Sequence, residues 1–204
     1  MYRIEPQEFY ARVNMFWVDV YRQRAYEEGI CDEYRVRWSK CHNRKSIMDM
    51  ALSVRAVDYV CNSIAKGWAS LCEEDIKRDF GRFINGNYAK DCGGYLSEMY
   101  CGYSGEIVYR KTILTLIFCK DVKIIVPKGH IVQIYVVGEG SNITLCSEDN
   151  SEVSLDEMAN KMPCSYLESK AYVTTYGEGV RISDDGNIRV HIANKCGKKG
   201  GYKV

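Results

Sequence analysis

The stretch DVKIIVPKGHIVQIYVVGEGSNITLC, from Asp121 to Cys146, decides the fold. Val122, Ile124 and Val126 flank Lys123. Val132, Ile134 and Val136 are spaced by Gln133 and Tyr135. Ile143 and Leu145 flank Thr144. A period of two puts one set of side chains on a buried face. The runs are separated by Pro127-Lys128-Gly129 and by Gly138-Glu139-Gly140-Ser141, residue types that favour turns. Their centres lie about ten residues apart.

Short turns with Asn, Asp, Ser and Gly in similar places predict a short β-solenoid or roll, each strand adding a rung. An antiparallel sandwich or jelly roll made of hairpins is the alternative. Working outward, further strands read at 106–110, 112–119, 151–155, 172–176, 180–183 and 187–192. Asp184-Asp185-Gly186-Asn187 reads as a hairpin turn. Residues 156–170, with Met158, Met162 and Pro163, interrupt the rhythm. The strand at 131–137 is apolar on both faces, Ile131, Tyr135 and Val137 forming the second. Such a strand is covered twice, by its own core and by helices or another subunit.

Upstream of about residue 105 the period lengthens to three or four. Pro6 opens a first helix that Gly29 ends. Tyr34, Val36 and Trp38 alternate with Arg35 and Arg37, which predicts a short strand or extended linker. Ile47, Met50, Ala51, Val54, Val57, Cys61, Ile64 and Trp68 predict one long helix. Ser70 with Glu73 forms a capping box for a third. The fold class is therefore α+β, N-terminal helices followed by a β-rich half. The expected division is a helical part at 1–84, a Gly/Tyr-rich connector at 85–105, a β-rich part at 106–194 and a flexible tail at 195–204.

The chain has 204 residues, 28 basic against 27 acidic, for a net charge of +1. That balance argues against a general nucleic-acid or membrane-surface binder. No apolar run reaches the length of a membrane span, and the N-terminus has no apolar segment of the signal-peptide kind. Ten cysteines are scattered without a C-x-x-C pair or finger spacing, which predicts free thiols and a cytoplasmic protein.

No catalytic motif, cofactor motif or metal set emerges. Cys41-His42 is adjacent in sequence, whereas a catalytic pair is assembled from distant segments. Glu73, Glu74 and Asp75 suit a helix N-terminus. Glu148, Asp149, Glu152, Asp156 and Glu157 lack the regular ladder of a calcium site. Two segments remain as binding candidates. One is basic, with Arg35, Arg37, Trp38, Arg44 and Lys45 suited to a small anionic ligand. The other is the connector, where Tyr88, Tyr95, Tyr100 and Tyr103 sit between glycines.

Val126-Pro127-Lys128-Gly129-His130, followed by Glu139-Gly140, resembles the first half of a cupin motif, but Val132 stands where the second histidine would be. More widely, Phe80-Gly81-Arg82-Phe83-Ile84-Asn85-Gly86-Asn87-Tyr88, Gly94-Tyr95 and the Met99 to Glu106 segment, with the β-rich tail, are similar to uncharacterised proteins encoded by phages and prophages of gut bacteria. The resemblance implies an accessory or virion-associated role. With no active site in view, the expected function is non-enzymatic binding or assembly, with a protein partner or a second copy. The competing reading is a nucleotide- or sugar-sequestering protein, or an enzyme, using the tyrosines and the basic segment.

Overall fold

Consecutive strands along the β half enter two different sheets. The computed structural model describes Asp19, Arg22, Gln23, Tyr26 and residues 32–65, 72–148 and 168–195. The strands are β1 (Ala89–Asp91), β2 (Leu96–Cys101), β3 (Gly105–Val108), β4 (Ile113–Ile117), β5 (Asp121–Val126), β6 (Ile131–Val137), β7 (Asn142–Ser147), β8 (Ser169–Tyr176), β9 (Arg181–Asp184) and β10 (Ile188–Lys195). One sheet has the order β1-β2-β4-β6-β8-β10 and the other β3-β5-β7-β9. All pairings are parallel except β1 with β2. This is a two-sided β-solenoid of about four turns, each turn giving one strand to each sheet. The solenoid, not the sandwich, is the fold. The ten-residue spacing is half a turn.

The alternating apolar set faces inward between the sheets. Leu114, Leu116, Val132, Ile134, Val136, Ile124, Ile143 and Leu145 are fully buried there. Each such side chain contributes about 1.5–3 kcal/mol on leaving water. Full turns take 16 residues (97 to 113), 20 (113 to 133) and 19 (169 to 188). One takes 39 in both sheets (131 to 170, 142 to 181). The register therefore closes across residues 149–167.

At one corner a positive φ recurs from turn to turn. The residues after β2, β4, β6 and β8 are Gly102, Phe118, Gly138 and Gly177, with φ of 56°, 55°, 136° and 91°. Register stacks them, since Cys101 pairs with Ile117, Ile117 with Val137 and Val137 with Tyr176. Three of the four are glycine, which reaches this region without cost; Phe118 pays roughly 1–2 kcal/mol for it. Its ring packs against the helical core. Buried polar groups at the corners are paired: Ser141 Oγ donates to the Cys119 carbonyl at 2.6 Å, and Ser169 Oγ to that of Pro127 at 3.1 Å.

Four helices are described: α1 (Asp32–Ser39), α2 (Arg44–Ala51), α3 (Val54–Ala65) and α4 (Glu73–Phe80). The segment expected to be extended is helix α1. Tyr34 and Trp38 satisfy both a period of two and an i, i+4 spacing; Val36, which separates the two patterns, is 55% exposed. The long helix expected from Ile47 onward is two. The Ser53 hydroxyl takes the Met50 carbonyl at 2.7 Å, and the Ser53 carbonyl starts α3 by accepting from Ala56. The capping box belongs instead to Asn43 and Ser46 at the start of α2. The N-cap of α4 is Cys72, not Ser70.

The Gly/Tyr-rich segment holds β1 and β2, so the first turn starts inside it. Asp184 to Asn187 is not a hairpin turn, because β9 and β10 lie in different sheets. The first helix apart from isolated residues, the strand at 151–155, most of 156–170 and the tail after Lys195 lie outside the described residues.

The helices lie on the outer face of the six-stranded sheet. Their core of Trp38, Ile47, Leu52, Val57, Cys61, Ile76 and Phe80 continues into Met99, Cys101, Ile113, Ile117, Val137 and Tyr176. The second apolar face of β6 is thus covered by helices at Val137 and, in part, at Tyr135. Ile131 stays 55% exposed. Among the described residues, no helix is long and apolar enough to cross a membrane.

Candidate functional site

Two of the sequence-derived candidates meet across the helix–solenoid boundary. Lys45 of α2 reaches the Tyr88 hydroxyl at 3.0 Å and lies 5.1 Å from the centre of its ring. Both groups also bind Asp49, Lys45 at 2.8 Å and Tyr88 through its hydroxyl. Partial burial pushes the Asp49 carboxyl up, but the bonds from Lys45 and Tyr88 outweigh it and hold it below its ordinary range. Burial and Asp49 push the Tyr88 hydroxyl up. The cluster is mutually satisfied and acts as a staple.

A second Tyr–Asp–Lys staple was not foreseen. The Tyr176 hydroxyl and Lys195 Nζ both donate to Asp58 of α3. Its members lie 118 and 137 positions apart, so no local signal marks it.

The other candidates disperse. Trp38 is buried in the helical core. Arg37 bonds Glu33 at 2.8 Å and lies 5.4 Å from the Tyr34 ring. Arg35 lies 5.6 Å from the Tyr26 ring. Arg44 approaches the buried Asp79 at 3.7 Å. Tyr95 is exposed in the β1–β2 turn. Tyr100 and Tyr103 pack edge to face at 5.2 Å against the solenoid core, and burial pushes Tyr100 up to about 12.

The thiols are ordinary. Cys41, Cys61, Cys72, Cys92, Cys101, Cys119 and Cys146 are unpaired. Burial pushes Cys101 up to about 12 and Cys119 up to about 11, away from the thiolate that a nucleophile needs. Among the described residues, no group of three or more His, Cys, Asp or Glu is placed to hold a metal. His130 closes the turn between β5 and β6, its N–H donating to the Pro127 carbonyl.

The outer face of the four-stranded sheet is a polar platform. Lys123 bonds Glu106 at 2.9 Å, Asn142 bonds Asp121 at 2.8 Å, and Thr144 meets Ser183 at 3.2 Å. Glu106, Asp121, Lys123, Asn142 and Thr144 line a shallow depression of about 280 Å³. Its polar groups largely satisfy one another along the rungs.

The end of the solenoid differs. Strand β10 has eight residues and, among the described residues, pairs on its β8 side alone. Its inward row runs from Ile188, 5% exposed, through half-buried Val190 to Ile192, 52% exposed. The core of the solenoid runs out into solvent there. Its outward row carries Arg189, His191 and Lys195. His191 stacks on Tyr172 of β8 with ring centres 5.0 Å apart and planes 10° from parallel. Tyr172 is 43% exposed and sits beside Gln133 on β6. Among the described residues the helices do not reach this corner, which Ile131 extends. Exposed apolar and aromatic groups thus lie beside a strand edge that is unpaired among the described residues. Neither a protein-family model, nor a curated protein, nor a solved structure matches the chain.

Proposed function

We propose that this chain is a non-enzymatic binding or assembly protein, with the C-terminal end of the solenoid as its docking element. The observation that carries this reading is the inward row of β10, which passes from buried Ile188 to open Ile192 beside the exposed Tyr172–His191 stack. A sheet whose edge is unpaired among the described residues suits recognition of polypeptide through backbone pairing. The partner is another protein or a second copy. The resemblance to phage and prophage proteins adds an accessory or virion-associated role, exercised in the host cytoplasm or the virion.

The Lys45–Tyr88 contact favours a second reading, a small anionic ligand held at the helix–solenoid boundary. It is the weaker of the two, because Asp49 occupies both groups and Trp38 is buried.

The test is in-cell cross-linking from a photo-reactive side chain at Ile192, with one at Glu106 on the opposite sheet as control. A polypeptide adduct of defined mass at 192 and none at 106 is expected. No adduct at 192, with a small molecule co-purifying and lost in Tyr88→Phe, would overturn the docking reading in favour of the second.

A further inference from the structure

Strand β10 is the most basic strand of its sheet. Between Ile188 and Lys195 there are Arg189, His191 and Lys195 and no acidic residue. Lys170 adjoins Arg189 in the register on β8. Two carboxylates answer these charges: Glu168 lies 3.7 Å from Arg189, and Asp58 holds Lys195. Arg189 is more than half exposed, and His191 is exposed while its ring is stacked on Tyr172. The inward row of the same strand asks for apolar cover over Val190 and Ile192.

A strand added at this edge alternates its side chains between the two rows. One set continues the solenoid core over Val190 and Ile192. The other stands beside Arg189 and Lys195, with the His191 ring between them, and at the two cations opposite charge is favoured and like charge is penalised. We infer that the partner at β10 is an extended segment of another protein that alternates apolar and acidic residues, and that it adds a strand to the six-stranded sheet. A second copy is the poorer occupant, since two β10 edges would bring two basic rows together. The inference rests on the docking reading above and names the chemistry of the partner.

The probe is a fluorescein-labelled octapeptide alternating valine and glutamate, titrated against the full chain by anisotropy. Saturable binding is expected, at least tenfold weaker in Arg189→Glu and at least tenfold weaker for a peptide with lysine in place of glutamate. Amide exchange is expected to be fast in the free chain at the alternate residues of 189–195 whose N–H points away from β8, and slowed there by the peptide. Any of three results would overturn the inference: no saturable binding or equal binding of the lysine peptide; edge-facing amides of β10 already protected in the free chain; or a dimer by sedimentation that Arg189→Glu dissociates. If cross-linking at Ile192 captures a polypeptide while the peptide fails, the acidic-strand chemistry falls and the docking reading stands. If both fail, the docking reading falls.

Discussion

The Tyr176 hydroxyl donates to the Asp58 carboxylate, tying the last residue of β8 to helix α3. Lys195, one rung further, binds the same carboxylate. The helices are thus fastened to the solenoid near its end by Asp58 and near its beginning by Asp49.

This relationship has a pH signature. Partial burial pushes the Asp58 carboxyl up, but the bonds from Lys195 and Tyr176 prevail and its folded value lies below the unfolded one. Its contribution is therefore fully present above the unfolded carboxylate range, about 3.9, and is lost as pH falls through the lower folded value. Asp58→Asn should flatten the acid limb of the stability profile, measured by denaturant unfolding between pH 2 and 6. Tyr176→Phe should cost about 1–2 kcal/mol at pH 7.

Glu73 and Lys77 of α4 lie directly on Gly102, where a Cβ would overlap the Glu73 carboxylate. Lys77 also donates to the Gly102 carbonyl at 3.2 Å. Gly102→Ala adds a left-handed alanine to that overlap and should cost about 1–3 kcal/mol. Adding Glu73→Ala should recover the overlap but not the backbone strain. Chemical denaturation of the single and double variants separates the two.

Glu98 faces inward on β2 with its side chain 2% exposed, and Lys111 pairs with it. Lys111→Met should cost about 3–5 kcal/mol by leaving a buried carboxylate alone. Glu98→Leu together with Lys111→Met should return most of it. Equal losses for the single and the double variant would show that the pair does not act as one.

The two faces of β6 should respond unequally. Ile134→Ala, in the closed core, should cost about 2–5 kcal/mol, and Ile131→Ala at the exposed corner less than about 0.5 kcal/mol. Unfolding midpoints in urea decide this.

Thiol labelling should follow burial. Of the seven described thiols, in the native state at pH 7, exposed Cys72 should react first, and Cys61, Cys101 and Cys119 should stay protected until denaturation. Non-reducing titration of the unfolded chain should find nearly all ten thiols.

The solenoid was legible because its inward rows obey a strict period of two, and β6 falls on the expected 131–137. Strands β1 and β2 were not, since glycines surround them and Glu98 breaks the apolar row of β2. Helix α1 was misread because Tyr34 and Trp38 fit both periods. The binding candidates were chosen by composition. Lys45 and Tyr88, chosen from two separate segments, do meet, but composition had no means of seeing that Asp49 joins them or that Trp38 turns inward. The open end of β10 is a property of strand order, which only the closed register reveals.

The 39-residue step carries a consequence of its own. Both sheets keep their register across it, so the height of the stack and the length of the chain between rungs are set independently. Sequence added between residues 148 and 168 lengthens the step without demanding a change of register on either side. Grafting and deletion there become the natural way to remodel this protein, while a single residue gained or lost inside a strand would turn its core side chains outward.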